Sequence, residues 1–350
     1  MKLLSIETTC DETSFALGAI KANEFSLLKS KVLSQTAIHQ KYGGVVPNLS
    51  AREHLNNFIP VLDGLLKEAK TGLRDIDAFV VANGPGLIPA LLIGVSIAKS
   101  LAYFYQKSLI PIHHLEGHIY ANWLNKNGKL RKAIQFPVLA LIVSGGHTQL
   151  VYLKNHLNYE IIGETLDDAA GEAFDKVAKM LELGYPGGPK VSQMAAKGKV
   201  GFYQFPVPMR RTPDLNFSFS GLKTSVLTAL KKYKKPYPLK VKQDIAASFQ
   251  EAVILSLIHK TEKAIKKYKP QSLLLAGGVS ANSALRRRFE KTAAKYRVQA
   301  FIPLLQYCGD NAAMHLVAAY FKLRQNGLKK YQNNWKKVQA DAELAINSLP

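Results

Sequence analysis

KLLSIETTCDETSFALGAI, residues 2–20, predicts two β-strands joined by a polar turn. Lys2–Glu7 and Ser14–Ile20 are rich in the apolar residues that strands favour, and Thr8–Thr13 between them is almost entirely polar. Strands this close in sequence pair as an antiparallel hairpin, because parallel strands need a long crossover connection. The chain therefore opens on a hairpin whose turn carries hydroxyl and carboxylate groups.

The same pattern recurs near the middle of the chain. Pro137–Val143 predicts a buried strand, Ser144–Thr148 a glycine turn, and Gln149–Leu153 the returning strand. Strands and helices alternate elsewhere, which favours an α/β architecture. One such hairpin at the start of each half predicts a duplicated fold of two lobes with a ligand cleft between them.

Length and composition limit the class of protein. A chain of 350 residues with 47% hydrophobic content can bury the cores of two lobes. The two cysteines, Cys10 and Cys308, lack the spacing of a thiolate metal site and indicate a reducing compartment. The N-terminus has no signal-peptide pattern, and Asn83–Gly86 interrupts the apolar stretch Phe79–Ala98 before it reaches bilayer length. We expect a cytoplasmic protein that does not span a membrane.

Positive charge is concentrated towards the C-terminus. The formal net charge is +22, and residues 231–350 hold 23 Lys and Arg against 7 Asp and Glu. Cations alternate with aromatic residues there, as on a surface that binds nucleic acid, although a solvated lysine-rich surface would look the same. The candidate nucleic-acid contacts are Lys231, Lys232, Lys234 and Lys235, with the triplet Arg286–Arg288 as a second choice.

His114 and His118 predict a metal site. Side chains four residues apart lie on one face of a helix, so both imidazoles can reach one cation. Asp310 precedes a later helical stretch and is either its N-cap or the third ligand of an open site with two histidines and one carboxylate. Glu116 lies about 200° around the helix from His114 and faces away, so the general base of a zinc peptidase is missing.

Three turns are candidates for binding an anion. Thr8–Thr13, with the side chains of Thr8, Thr9, Asp11 and Glu12, and Ser144–Thr148 could hold phosphate on backbone N–H groups or serve as ordinary hairpin turns. Gly277–Asn282 follows the predicted strand Ser272–Ala276 and precedes a helix, an arrangement that directs N–H groups at a ligand. It is not a Gly-x-Gly-x-x-Gly motif, and no Walker A motif is present.

Ten motifs, in order along nearly the whole chain, resemble the bacterial TsaD family, the tRNA N6-adenosine threonylcarbamoyltransferases. They are Ile6–Thr13, Tyr42–Pro47, Gly84–Leu87, His113–His118, Val143–Thr148, Asp167–Lys176, Tyr185–Pro189, Phe217–Thr224, Ala276–Asn282 and Asp310–Asn311. The lysine-rich stretch Lys231–Lys242 and the tail after Phe321 lie outside the resemblance.

The resemblance implies a duplicated, two-lobed fold like that of actin, Hsp70 and the sugar kinases (ASKHA), with a central ligand cleft. We expect residues 1–112 to form the first lobe and 113–324 the second, with a C-terminal helix of about 325–345 returning to the first. By resemblance, one divalent metal ion per subunit, iron or zinc, is held by His114, His118 and Asp310. The substrate would be held by Ile142, Val143, Ser144, Gly145, Gly146, Asp175, Gly188 and Asn282.

The implied reaction moves a threonylcarbamoyl group from threonylcarbamoyl-AMP to N6 of the adenosine 3′ of the anticodon, in tRNAs that read codons beginning with A. The implied partners are tRNA, a TsaB-like paralogue and a TsaE-like ATPase, with the adenylate supplied by a TsaC or Sua5-type synthase. ATP or another adenine nucleotide could enter the same cleft.

Three other functions stay open on the sequence. A metallopeptidase would share the histidine pair but lacks the orientation of Glu116. A small-molecule kinase would share the fold but has no need of histidine ligands, because magnesium prefers oxygen. A non-catalytic RNA-binding scaffold would explain the charge and leave the glycine turns without a role.

Overall fold

The computed structural model describes residues 1–346, which form two five-stranded sheets with helices on both faces of each. The strands are β1 (Lys2–Glu7), β2 (Glu12–Lys21), β3 (Glu24–Ser34), β4 (Ala78–Gly84), β5 (Ser108–His113), β6 (Val138–Val143), β7 (Thr148–Leu153), β8 (Tyr159–Glu164), β9 (Ser272–Ala276) and β10 (Gln299–Phe301). The helices are α1 (Thr36–His39), α2 (Pro47–Ala69), α3 (Ile88–Phe104), α4 (His114–Tyr120), α5 (Ala170–Met180), α6 (Gly187–Ala195), α7 (Ser220–Leu230), α8 (Leu239–Tyr268), α9 (Ser283–Tyr296) and α10 (Ala312–Asn326).

Both sheets have the same pairing pattern. The first sheet has the order β3-β2-β1-β4-β5, and its central strand β1 pairs antiparallel with β2 and parallel with β4. The second sheet has the order β10-β9-β6-β7-β8, and β6 pairs antiparallel with β7 and parallel with β9. Each predicted hairpin forms the core of one sheet, so the prediction of a duplicated α/β fold is confirmed.

Alternation along the strands places helices on both faces of each sheet. In β1, Leu4 and Ile6 pack in a core with α2 and α3, whereas Leu3 points to the opposite face. In β6, Leu139 and Leu141 pack with α5, α8 and α9, whereas Ala140 faces the other way. The two inward faces share one core with α4 and α10. These two helices therefore form a central layer between the sheets.

Helix α10 belongs to the first sheet, although it lies within the residues expected to form the second lobe. The Leu316 side chain lies against Gly18, and the Tyr320 ring centroid is 5.9 Å from that of Phe25. The backbone N–H of Ala312 donates to Ser14 Oγ at 2.9 Å. Below, the first lobe means the first sheet with α1–α3 and α10, and the second lobe means the second sheet with α5–α9.

The α-helix predicted at about 325–345 is not present, and this prediction is corrected as follows. Helix α10 ends at Asn326 because Gly327 follows it at φ 72°, a left-handed conformation suited to glycine. Between Gly327 and residue 346 the chain forms short 3-10 turns and no α-helix. This tail packs on α3 of the first lobe, where Lys99 Nζ donates to the carbonyl oxygen of Val338 at 3.0 Å.

The apolar stretch Phe79–Ala98 divides into β4 and α3 at the Asn83–Gly86 turn. Gly86 is required there, because a Cβ would lie 2.7 Å from the carbonyl oxygen of Thr9. This close approach fixes the β4–α3 turn against the β1–β2 turn. Within residues 1–346, no helix combines the length and the apolar character needed to cross a membrane.

Candidate functional site

Two imidazoles and a carboxylate meet where the central layer reaches the end of β1. Helix α4 follows β5 directly, and its N-cap His113 accepts the backbone N–H of Leu115 on Nδ1 at 3.1 Å. His114 Nε2 lies 3.4 Å and His118 Nε2 3.0 Å from Asp310 Oδ1. The structure therefore brings together all three residues predicted to bind metal.

Asp310 is not the N-cap of the following helix. That position belongs to Asn311, whose side chain accepts the backbone N–H of Met314 at 3.0 Å. The alternative role considered for Asp310 is therefore filled by its neighbour. The Asp310 carboxylate is left to face His114 and His118.

The cluster fits a divalent transition metal. Its ligand atoms lie within 4.8 Å of one another, and a tetrahedral zinc ion with bonds of about 2.0–2.1 Å separates its ligand atoms by about 3.3 Å. Both ring nitrogens of His118 are buried and make no hydrogen bond within residues 1–346, since the 3.0 Å contact of Nε2 with Asp310 Oδ1 lacks hydrogen-bond geometry. Buried polar atoms without partners are rare and need an explanation. A metal bound at His118 Nε2 would provide it for that nitrogen.

Glu7 orients the His114 ring through its Nδ1, the nitrogen that faces away from Asp310. The carboxylate, at the end of β1, lies 3.0 Å from His114 Nδ1 and also hydrogen-bonds His315 Nε2 of α10. This partner on Nδ1 leaves His114 Nε2 for a metal, as in the carboxylate–histidine pairs behind many metal ligands. Sequence reasoning missed Glu7 and His315. The available signal was a glutamate closing an otherwise apolar strand directly before the polar turn.

Burial and opposite charges set the ionisation of this cluster. Burial raises the pKa of Glu7, but the neighbouring His114 and His315 outweigh it and hold that pKa well below its usual value. Burial also raises the pKa of Asp310, and here His114 and His118 reverse the direction. Burial alone would lower the pKa of His114, yet Asp310 and Glu7 raise it to about 10. Both carboxylates are therefore anionic and suited to a cationic site.

Glu116 takes no part in the cluster. Tyr159 Oη donates to its carboxylate at 2.6 Å, and Lys322 Nζ lies 3.2 Å from it. The side chain therefore points to α10 and β8, and the general-base position of a zinc peptidase is not filled by this residue.

We predict that His118→Ala and Asp310→Ala each abolish stoichiometric metal binding, because two protein ligands remain where three are needed. His114→Ala should do the same, although it also removes a partner of the buried Glu7 and will cost stability. Elemental analysis of the purified variants measures the loss, with His259→Ala as the matched control outside the cluster. Full metal occupancy in Asp310→Ala would remove that residue from the ligand set.

We predict that Glu7→Gln keeps the fold but weakens metal binding by about 10-fold to 100-fold, because the amide holds the His114 ring less firmly. Competition between the metal-free protein and a chromophoric chelator for Zn²⁺ measures the dissociation constant. Glu116→Gln is the matched control, a buried carboxylate that contacts Tyr159 and Lys322 instead. An unchanged constant in Glu7→Gln would reduce Glu7 to a packing role.

A cleft of 430 Å³ lies in the second lobe between the β6–β7 turn, the start of α6 and the start of α9. Its lining includes four of the residues predicted to bind substrate, Gly145, Asp175, Gly188 and Asn282, together with Tyr185 and Gly278. Volumes of this order suit a small organic ligand. Turns and helix ends that are far apart in sequence therefore meet around one space.

Glycines make the walls of this cleft possible. Gly277, at φ 85°, lies so close to β6 that a Cβ would be 2.4 Å from the carbonyl oxygen of Val143. At Gly145, Gly146 and Gly188 a Cβ would meet no atom within 4 Å in the described chain. Gly277 is needed by the fold, whereas a side chain at any of the other three would enter open space, so their lack of one leaves that space to a ligand.

Other predicted substrate residues have structural partners. The side chains of Ile142 and Val143 are fully buried in the cores, so a ligand could reach only their backbone. Asp175 Oδ1 accepts the backbone N–H of Gly187 at 2.7 Å and thereby caps α6. Asn282 caps α9 through Oδ1, and its Nδ2 donates to Gln250 at 2.7 Å. Sequence reasoning did not foresee these capping roles.

The β1–β2 turn lies beside the metal cluster. Thr9 Oγ1 is 3.1 Å from His114 Nδ1, and Thr8 Oγ1 donates to the carbonyl oxygen of Ala90 at 3.0 Å. The Glu12 carboxylate accepts a hydrogen bond from Ser34 Oγ. Burial, together with the nearby charges of Asp310 and Asp11, raises the pKa of Glu12 well above its usual value. The predicted phosphate loop is thus anchored by the side chains of Thr8, Thr9 and Glu12. The Thr9 N–H is donated to Glu7, so only the other backbone N–H groups of the loop remain candidates for an anion.

We predict that Gly145→Val and Gly146→Val each weaken the binding of a non-hydrolysable adenylate analogue by at least about tenfold. Their melting temperatures should change little, because the new side chains enter open space. Asn282→Asp tests the side-chain donor while keeping the α9 cap. Calorimetry gives the affinities. Gly221→Val is the matched control, since a Cβ there also meets no atom within 4 Å but Gly221 lies in α7 and not in the β6–β7 turn. Unchanged affinity in all three variants would assign these positions to the turns alone.

The predicted tRNA lysines lie on the surface. Lys231, Lys232 and Lys234 are exposed, and Lys235 Nζ lies 3.3 Å from Glu182. The Arg286–Arg288 triplet is largely structural, since Arg286 donates to two backbone carbonyls and Arg288 pairs with Glu251 at 2.7 Å. Three of the four lysines make no ion pair within residues 1–346, whereas in the triplet this holds for the exposed Arg287 and not for Arg288, so the lysine segment has more cations available to a large anionic ligand.

Comparison with known sequences identifies the family. The model of the family described as "TsaD: tRNA N6-adenosine threonylcarbamoyltransferase" matches residues 26–316. The chain belongs to this family of transferases. A relative of that name from Staphylococcus epidermidis is 46% identical over 327 residues, 93% of each chain, and one from Thermosipho melanesiensis is 48% identical over 320 residues, 91% of this TsaD chain and 94% of the relative. The metallopeptidase and kinase alternatives are not favoured.

Solved structures support the fold. HypF from T. kodakarensis superposes with a TM-score of 0.57 at 16% identity, over 93% of this TsaD chain and 48% of HypF. Full-length HypF in its phosphate- and nucleotide-bound form gives 0.57 at 13% identity, over 93% and 47% of the two chains. The TsaD chain spans about half the length of HypF. At these identities the likeness shows the fold alone, and the predicted ASKHA fold is confirmed.

Proposed function

We propose that this TsaD chain transfers a threonylcarbamoyl group from threonylcarbamoyl-AMP to N6 of the adenosine 3′ of the anticodon, in tRNAs that read codons beginning with A. The observation that carries the proposal is the metal-type cluster of His114, His118 and Asp310 in a chain that also holds a glycine-walled cleft. The names of the relatives, which describe this transfer on tRNA, support it.

The cleft would hold the adenylate. Backbone N–H groups at Gly145 and Gly278 border the open space and can bind the phosphate of the AMP part, whereas the N–H of Gly188 is donated to Asp175. The β1–β2 turn is near both sites: Thr9 Oγ1 lies 3.1 Å from His114 Nδ1, and the Asp11 carboxylate is close enough to Asp175 to help raise its pKa. A ligand reaching from the cleft past this turn would bring its acyl group to the histidines.

The chemistry is an acyl transfer. N6 of the adenosine attacks the carbamoyl carbon, the bond from that carbon to the AMP phosphate oxygen breaks, and N6 loses one proton. A bound iron or zinc ion would act as a Lewis acid on the carbamoyl carbonyl oxygen. His114, His118 and Asp310 would hold that ion, and Glu7 would fix the His114 ring. ATP or another adenine nucleotide could occupy the same cleft.

We also propose that the chain works with partners, namely a TsaB-like paralogue and a TsaE-like ATPase, with a TsaC or Sua5-type synthase supplying the adenylate. A protein partner is supported by exposed apolar pairs on two helices that pack together. These pairs are Leu55 and Ile59 of α2, 60% and 69% exposed, and Ile88 and Leu92 of α3, 40% and 50% exposed. For tRNA, we propose contacts from Lys231, Lys232, Lys234 and Lys235.

The test is a reconstituted transfer reaction. Purified chain, alone and with its partners, is incubated with synthetic threonylcarbamoyl-AMP and unmodified tRNA, and the digested nucleosides are analysed by mass spectrometry. We expect threonylcarbamoyl-adenosine with the wild type and none with His118→Ala, because that variant lacks a metal ligand. Absence of the product with all partners present would contradict the proposal, and cleavage of a glycoprotein by the same preparation would favour the peptidase.

A further inference from the structure

A second concave surface of the second lobe lies between the irregular loop of residues 201–212 and helices α8 and α9. Two cavities of 600 and 350 Å³ share the lining residues Val207, Arg210 and Leu255, so they form one continuous groove. Together they run from Tyr203 along α8 to Lys295 of α9.

The loop that forms one wall is held firmly by α8. His259 Nε2 donates to the carbonyl oxygen of Arg210 at 2.8 Å, and Lys263 Nζ donates to that of Thr212 at 2.6 Å. At the other end, the backbone N–H of Tyr203 donates to Ser248 Oγ at 3.1 Å. The loop has no strand or helix of its own, yet its backbone is anchored on both sides of Arg210. The backbone that carries Arg210 and Arg211 is therefore preorganised.

The groove has an excess of free positive charge. Its two acidic residues are already paired, Glu251 with Arg288 at 2.7 Å and Glu262 with Lys295 at 2.8 Å. The remaining cations, Arg210, Arg211 and Lys291, are exposed and make no ion pair within residues 1–346. Exposed arginines that make no internal contacts are suited to bidentate binding of phosphate.

The groove adjoins both the cleft and the lysine segment. Asn282, which lines the cleft, donates to Gln250 of α8, and the next residue, Glu251, lines the groove. At the other side, Tyr203 Oη lies 2.8 Å from Tyr233 Oη, within the lysine-rich segment. A polyanion could thus run from the cleft along the groove and past the lysines.

We propose that this groove binds the phosphate backbone of the tRNA substrate, with Arg210, Arg211 and Lys291 as its main contacts. The inference rests on the proposed function, which requires an anticodon loop to enter near the cleft while the rest of the RNA lies outside. Aromatic rings at the groove suit RNA, because Tyr203 and Phe205 are stacked at 5.8 Å and unpaired bases stack on such rings.

The test compares tRNA binding by charge-matched variants of the full chain. Arg210→Ala/Arg211→Ala/Lys291→Ala removes three cations from the groove, whereas Lys21→Ala/Arg74→Ala/Lys126→Ala removes three exposed cations elsewhere. Binding of fluorescent unmodified tRNA is followed by anisotropy across a series of KCl concentrations. We expect the groove variant to bind at least about tenfold more weakly. Its slope of log affinity against log salt should be shallower by about 2, because three cations no longer neutralise phosphates and fewer counterions are released. The control should match the wild type within about twofold.

Other measurements separate the outcomes. Metal content and adenylate binding should be unchanged in the groove variant, which shows that its fold and the cleft are intact. If the wild type binds tRNA and the groove variant has the same affinity and salt slope, the groove proposal is wrong and the proposed function is unaffected. A comparable loss of tRNA affinity in the control variant would also contradict the groove proposal, because it would show that any exposed cation attracts the RNA equally. A wild type that binds no tRNA, alone or with partners, would contradict the proposed function and the groove together.

Discussion

The contacts of His114 join the parts of the structure on which the site depends. Its Nδ1 faces Glu7 at the end of β1 and its Nε2 faces Asp310 before α10, while its backbone begins α4. A buried ion pair costs desolvation free energy that only good geometry offsets. The surroundings supply that geometry, because β1, α4 and α10 are all fixed in the packed core between the sheets. Alignment of a metal ligand therefore follows from the packing of the central layer.

Sequence patterns were sufficient where one local rule dominates. The two hairpins follow from apolar strands around polar or glycine turns, and the histidine pair follows from helical spacing. Asp310 was ambiguous, because capping and ligation both suit an aspartate before a helix, and only the placement of Asn311 decides between them. Glu7 and His315 could not be found by spacing, since 308 residues separate them and only the tertiary fold brings them together.

A cluster of basic residues in the sequence identifies a binding surface only when the partners of those residues in the fold are known. The sequence shows three consecutive arginines and a run of lysines as similar basic clusters, but the structure distinguishes them. Arg286 is used to hold the backbone of Ser280 and Pro303, whereas Arg210 and Arg211, a pair that attracts no attention in the sequence, project freely from an anchored loop. The difference lies in which carbonyls and carboxylates each cation already meets, and such long-range pairings leave no local pattern.

The position of α10 also bears on the order in which the protein forms during synthesis. All strands of the first sheet lie within residues 2–113, yet Ala312–Leu323, which cover its inner face, are translated after the whole second sheet. The second lobe is thus inserted into the first, and it can complete its own outer core before the ribosome reaches α10. Until then the first sheet exposes apolar side chains such as Ala16 and Val80. The lobe that is translated first is therefore the one that completes folding last, and during that interval it is the part of the nascent chain most exposed to aggregation.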